Sequence, residues 1–252
     1  MSDLKEQFSN KLEISKVIGD PFDHMYIENF FKNEFYNDIL NNIPDLSHFQ
    51  KIVDTGVVGQ NYSPERYIFS LKKDIVNLEA NKRKFWEKIN EGFGSIEFWK
   101  AISLKFKGTL KERFSNLSKK EKDFFGTNQP KISIGTSLIK DFTKYQLGAH
   151  TDTISKIFSL LFYLPKDDNL KKIGTSLYEP LDIIEEEKID RHFTREATTK
   201  SFKKVKTCEF KRNSVFIFAR TNYSFHGVEE VNINKSERNL LLVNFYGEKN
   251  NE

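Results

Sequence analysis

Two of the five histidines stand in surroundings suited to chemistry: His150 in Leu147-Gly-Ala-His-Thr-Asp152, and His226 in Asn222-Tyr-Ser-Phe-His-Gly-Val228. A His-x-Asp pair offers an imidazole nitrogen and a carboxylate oxygen from neighbouring positions. A distant second histidine can then complete one triangular face of an octahedral metal ion, leaving the opposite positions open to exogenous ligands. Arg238 follows His226 in Ser236-Glu-Arg-Asn-Leu-Leu-Leu-Val-Asn-Phe245, at the entry to an apolar run. A guanidinium in such a place calls for an anion, because its planar fork matches a carboxylate with two parallel hydrogen bonds. A single His-x-Asp is common by chance, so the ordered combination of His150, Asp152, His226 and Arg238 carries the reading. His24, His48 and His192 lie among polar, aromatic or basic neighbours and are expected in surface or capping roles. Cys208 is expected to be a small buried residue.

The elements that must hold these residues are legible as a change of texture. From about Asp74 to Phe125, Phe85, Trp86, Ile89, Phe93, Phe98, Trp99, Ile102, Phe106, Leu110 and Phe114 recur at threes and fours, which predicts helices. Asp20–Phe31 reads as a short extended segment after a polar leader, and Asn33–Ile43 as a helix ended by Pro44. Beyond Pro130 the pattern is of strands: Ile132, Ile134 and Leu138 alternate with small or polar residues. Phe158–Leu164, Val215–Ala219 and Leu240–Tyr246 are short apolar runs. Residues 166–206, with the acidic run Glu185–Glu187, show little periodicity and read as a long insertion that could close over a site. The expectation is an α+β chain, one domain over 1–252, with a mainly helical part (1–129) covering an antiparallel barrel or jelly roll (130–252).

Composition narrows the function classes. The formal charge is +4, from 40 Lys+Arg against 36 Asp+Glu, and no basic stripe appears, so nucleic acid is not the expected partner. Met1–Asn10 lacks the basic start and apolar stretch of a signal peptide, and no apolar run approaches the ~20 residues that span a bilayer, so no membrane role is expected. With Cys208 as the sole cysteine no internal disulfide can form, and a reducing, cytoplasmic location fits best.

The ordered pattern His150-Thr-Asp152, a strand at Phe158–Leu164, His226 and Arg238 resembles the signature of the 2-oxoglutarate/Fe(II)-dependent oxygenase superfamily, and within it the prolyl 4-hydroxylase-like subgroup. Pro21-Phe-Asp-His-Met-Tyr-Ile-Glu-Asn-Phe-Phe31 is similar to the entry strand common in that subgroup. The resemblance implies a double-stranded β-helix of the jelly-roll, cupin-like kind. It implies Fe(II) on His150, Asp152 and His226, with 2-oxoglutarate and O2 as co-substrates and succinate and CO2 as products. By the same resemblance Arg238 meets the far carboxylate of 2-oxoglutarate, Tyr163 shares it, and Tyr145 reaches co-substrate or substrate. The expected substrate is a small molecule, an amino acid or a sugar-containing metabolite. A peptidyl-prolyl hydroxylase and a catalytically inactive jelly-roll binding protein are the alternatives. The chain departs from the subgroup after Tyr163, where Leu164-Pro165 replaces the Leu-Asn of many relatives.

Overall fold

The computed structural model describes residues 4–59, 62–185, 192–233 and 236–250. Helix α1 (Leu4–Ile14) forms where a polar leader was expected, because Phe8 and Leu12, four residues apart, bury one face of the turn. The extended segment becomes strand β1 (His24–Glu28), and the first expected helix becomes α2 (Asn33–Asn41). Strands β2 (Gln50–Lys51) and β3 (Arg66–Ser70) follow, which the helical periodicity of this half did not foretell. The aromatic-rich stretch folds as α3 (Ala80–Phe93), α4 (Ile96–Lys105), α5 (Lys107–Ser115) and α6 (Lys119–Phe125). The last begins with a capping box between Ser118 and Glu121, which satisfies amides that a helix start leaves open.

The remaining strands are β4 (Ile132–Asp141), β5 (Leu147–His150), β6 (Lys156–Tyr163), β7 (Thr175–Pro180), β8 (Phe202–Cys208), β9 (Ser214–Ala219), β10 (His226–Val228) and β11 (Arg238–Gly247). A short helix, α7 (Arg195–Ser201), precedes β8. The strands form a seven-stranded sheet ordered β1-β9-β6-β11-β4-β3-β2 and a four-stranded sheet ordered β5-β10-β7-β8, with every pairing among the described residues antiparallel. From β4 to β11 the chain alternates between the two sheets, apart from the hairpin β7–β8 within the smaller one; this is the winding of a double-stranded β-helix. The segment 166–206 is thus not an insertion between strands. It contributes β7 and β8, half of the smaller sheet, and its strand character is masked in sequence because Phe202-Lys-Lys-Val-Lys-Thr-Cys208 is an edge strand carrying lysines on its open face. Of the acidic run, Glu186 and Glu187 lie outside the described residues.

The larger sheet has two unlike faces. Its outer face packs on the helices: Phe162 meets Phe30, Phe31 and Phe93 at ring-centroid distances of 5.0–5.3 Å, and Phe158 meets Trp99 and Phe106. Its inner face carries smaller and more polar residues, among them Ser137, Ser159 and Asn244, and lines a cavity of about 1310 Å³ between the sheets. No helix among the described residues is long and apolar enough to cross a membrane.

Candidate metal centre

His150 closes β5, His226 opens β10, and the two strands pair with these residues opposite one another. Asp152 stands two residues beyond β5 in a left-handed conformation (φ 67°), which an aspartate adopts more readily than most side chains and which turns its carboxylate back toward the histidines. The Nε2 atoms of His150 and His226 lie 3.8 and 3.9 Å from the two Asp152 oxygens, and one donor atom from each of the three residues falls within 4.8 Å of the others. Among the described residues the set closes at three, two imidazoles and one carboxylate. The edge of an octahedron with arms of about 2.1 Å is ~3 Å, so an ion would draw each histidine and the aspartate together by somewhat under an ångström.

Each ligand is oriented from behind. His150 Nδ1 donates to Gly148 O and His226 Nδ1 to Ser224 O, both at 3.0 Å, which leaves the Nε2 lone pairs facing the common centre. Ser224 also joins its loop by accepting from Thr221 N and donating to Thr221 O, so the Thr221–Ser224 turn steadies His226. Asp152 accepts from Ser159 Oγ at 2.7 Å and from Lys156 Nζ at 2.8 Å. Burial opposes its charge, but the ammonium of Lys156, with His226 and His150 beside it, holds the carboxyl well below the usual carboxylate range. Burial, reinforced by the mutual repulsion of the imidazoles, lowers the proton affinity of His150, and burial lowers that of His226. All three groups are therefore poised in the deprotonated forms that bind a metal ion.

His192 is exposed, as expected, but its place beside the triad was not foreseen. It stacks on His150 at 4.3 Å with an interplanar angle of 16° and stands edge-on to Tyr62, so it belongs to the cavity beside the triad rather than to a remote surface. Residue 192 lies 42 positions from His150 with two strands intervening, and no local pattern announces the contact. The segment that carries it is seated on β5: Phe193 N donates to Ala149 O, Thr198 Oγ1 accepts from Ala149 N, and a Cβ on Gly148 would lie 1.9 Å from Phe193 O. His24, expected at the surface, is fully buried in β1, with Lys206 Nζ donating to its Nε2 at 3.2 Å. His48 is exposed as expected, and Cys208 is buried.

Arg238, Asp141 and Arg66 form one cross-strand row, in register on β11, β4 and β3. Arg66 grips Asp141 with Nε and Nη2 at 2.6 and 2.9 Å, and Arg238 Nη1 reaches the same carboxylate at 2.7 Å. Arg238 Nε donates to Ile173 O, while its Nη2, completely buried, has no hydrogen-bond partner. The ring of Tyr163 lies 5.7 Å from the Arg238 guanidinium, and its hydroxyl donates to Thr175 Oγ1 at 2.7 Å. Tyr145 lies under Arg66 at 4.2 Å, with its hydroxyl 3.2 Å from that of Tyr62. Asp141, Arg66 and Tyr62 were not anticipated: each is unremarkable in sequence, and strand register alone brings them together.

A pH response follows from the buried imidazoles. Burial places His24, His150 and His226 below their ordinary value of 6.5, so the folded chain keeps them neutral where the unfolded chain takes up protons. Their stabilisation is full above about pH 6.5 and is lost as pH falls through it, each group costing up to about 1.4 kcal/mol per unit. Asp152 acts only in more acid solution, because its stabilising charge persists above the unfolded carboxylate value. Urea unfolding of the metal-free protein at about pH 7.5 and about pH 5.5 is expected to show a loss on the order of 1–3 kcal/mol at the lower pH; equal stability would refute this account.

No family model matches the sequence, and no curated protein matches it. Solved structures do. The chain is similar to the non-haem alpha-ketoglutarate-dependent epimerase SnoN from nogalamycin biosynthesis, at 8% identity and a TM-score of 0.53, covering 97% of this chain and 80% of that one. It is also similar to a structure of prolyl 4-hydroxylases from Phytophthora capsici, at 14% identity and a TM-score of 0.50, covering 98% of this chain and 66% of that one, just under two thirds of its length. Identities this low speak to the fold. The chain is a double-stranded β-helix that brings a His–Asp–His triad to the mouth of its smaller sheet, a fold it shares with an alpha-ketoglutarate-dependent epimerase and with prolyl 4-hydroxylases.

Proposed function

We propose that this chain is an Fe(II)- and 2-oxoglutarate-dependent dioxygenase that hydroxylates a small molecule, an amino acid or a sugar-containing metabolite, with release of succinate and CO2. The observation that carries the reading is the convergence of His150 Nε2, Asp152 and His226 Nε2 on one point while Arg238 holds an unpartnered, buried Nη2 in the same inner layer. A closed tetrahedral structural site would want a fourth protein ligand, whereas two imidazoles and a carboxylate on one face suit an ion that must also take exogenous oxygen ligands.

In this reading His150, Asp152 and His226 hold Fe(II), and the orphaned Nη2 of Arg238 donates to the far carboxylate of 2-oxoglutarate. Asp141 keeps Arg238 in place, and Tyr163, whose ring lies 5.7 Å from the Arg238 guanidinium, is held by Thr175. Tyr145 faces the cavity beside Arg66. When bound, the Fe(II) and 2-oxoglutarate supply the oxidising power by reducing O2 at the cost of the 2-oxoacid. The protein contributes orientation and exclusion of water: Ser159 and Lys156 fix the carboxylate rotamer, and the backbone carbonyls fix both imidazole tautomers. A cavity of about 1310 Å³ exceeds what 2-oxoglutarate alone would fill and leaves room for a substrate of metabolite size. The one cysteine, buried, accords with a cytoplasmic setting.

The test is anaerobic addition of Fe(II) and 2-oxoglutarate to the purified protein, followed through the weak visible charge-transfer band of their chelate. The band is expected in wild type. In Arg238→Ala, where Arg66 still neutralises Asp141, it should require on the order of 10- to 100-fold more 2-oxoglutarate, the loss of one charged hydrogen bond of about 1.5–3 kcal/mol. Absence of the band from wild type at millimolar co-substrate would leave a jelly-roll binding protein as the better description.

A further inference from the structure

The metal-side end of the cavity holds two polar groups, Lys156 and Asn244, whose hydrogen-bonding capacity the binding of Fe(II) and 2-oxoglutarate would not use up. Lys156 opens β6 and Tyr163 closes it, while Arg238 opens the antiparallel β11 beside Tyr163. Ser159, which holds Asp152, stands between them, three residues from Lys156 and four residues, ~13 Å of strand, from Tyr163. Seen from the triad, Arg238 and Lys156 therefore lie in opposite directions along the larger sheet. A co-substrate stretched from the triad to Arg238 leaves the Lys156 side to a second molecule.

Two features show what that molecule offers. The ammonium of Lys156 is answered by Asp152 at 2.8 Å, a carboxylate that it would share with the metal. The inner layer carries three cations, Arg66, Arg238 and Lys156, against two carboxylates, Asp141 and Asp152. A divalent ion and the dianion of 2-oxoglutarate cancel each other, so among these five groups one positive charge stays over. Desolvated positive charge of this kind favours a bound anion. In the row of Ser159, Asn244 lines the cavity at 5% exposure with an Oδ1 that accepts no hydrogen bond, a buried acceptor that calls for a donor. The other charged residues on the cavity wall are Lys144, Glu230, Glu65, which accepts from Ser63, and Arg195, which is held by Glu229; none of them is ion-paired with Lys156, whose partner is Asp152.

Building on the oxygenase reading, we propose that Lys156 and Asn244 form the substrate subsite, and that the substrate is a hydroxylated small molecule bearing a carboxylate or a phosphate. Lys156 takes the anionic group, and Asn244 Oδ1 accepts from a hydroxyl. His192 and Tyr62 flank the same space, with His192 within electrostatic reach of Lys156, Arg66 and Asp152.

The experiment uses three probes on one skeleton: glucose, gluconate and glucose 6-phosphate. Each is titrated anaerobically into the Fe(II)- and 2-oxoglutarate-saturated protein, with the visible band and the melting temperature as independent readouts. At least one anion should shift both signals with millimolar half-saturation, and glucose should shift neither; which anion acts separates carboxylate from phosphate recognition. Lys156→Met should raise that half-saturation about tenfold or more, one charge-assisted contact, when measured at Fe(II) and 2-oxoglutarate concentrations that saturate the variant, whose metal affinity also falls because Lys156 holds Asp152. Asn244→Leu should weaken the same anion. Glucose acting as well as the anions, no anion acting, or anions binding equally to Lys156→Met would each overturn the proposal. A wild-type band with no anion response rejects the subsite alone, whereas absence of the band rejects the oxygenase reading beneath it.

Discussion

Alanine at position 226 will remove the metal-dependent part of this protein's stability. An ion that binds only the folded chain stabilises it by about 2.7 kcal/mol at a hundredfold excess over its dissociation constant. Removing a group that merely orients a ligand costs about 10- to 100-fold in affinity, and removing a ligand itself costs more; on the order of a thousandfold is expected for His226→Ala. Calorimetric titration with Co(II), together with melting curves with and without the ion, measures both quantities. The wild-type gain in melting temperature should vanish in the variant at the same ion concentration. The metal-free variant should melt near the wild type, because His226 stands only 4.2 Å from the His150 ring and burial already disfavours its charge. A variant that keeps its affinity would show that the triad is not the binding site.

Glutamine at position 121 should have an effect of similar size by a different route. Glu121, on α6, is 1% exposed and accepts from Arg113 Nε at 3.0 Å and Arg220 Nη1 at 2.8 Å. Arg113 in turn donates to the carbonyls of Ile154 and Lys156, in the loop that follows Asp152, and Arg220 reaches Asn222 in the loop that leads to His226. One carboxylate in the helical layer thereby braces the approaches to two of the three ligands. Burial together with the neighbouring charge of Arg220 already pushes Arg113 down to about 10. Breaking a buried ion pair by neutralising one partner costs about 3–5 kcal/mol, and Glu121→Gln should lose that much in denaturant unfolding. Co(II) affinity of the folded variant should also fall, as it does when groups that orient ligands are removed. A loss below about 1 kcal/mol would mean that solvent reaches the cluster.

What the sequence disclosed depended on how local each signal was. The convergence of His150, Asp152 and His226 was legible because a candidate metal face needs particular residue types in a particular order, and the order survives in one dimension; Arg238 was singled out by its place at the entry to an apolar run. The apolar runs of β6, β9 and β11 were legible because strands buried on both faces lose their alternation. Strands β7 and β8 were read as an insertion because an edge strand with lysines on its open face looks like loop. Asp141, Arg66 and Glu121 had no signal at all. Their importance comes from register and from contacts across 75 to 99 residues, which no periodicity encodes. His192 was set aside for the same reason.

The seating of residues 193–198 on β5 bears on how the protein protects itself. Strand β5 is an outer member of the smaller sheet, and without cover its free amides and carbonyls would present an open template to another chain. Phe193 and Thr198 pair with Ala149 and occupy that template, and they fit because Gly148 has no side chain to hold Phe193 away. The strand that ends in His150 is thus closed to intermolecular pairing by its own chain, and the cover on that edge and the placing of the candidate metal centre rest on the same few backbone contacts.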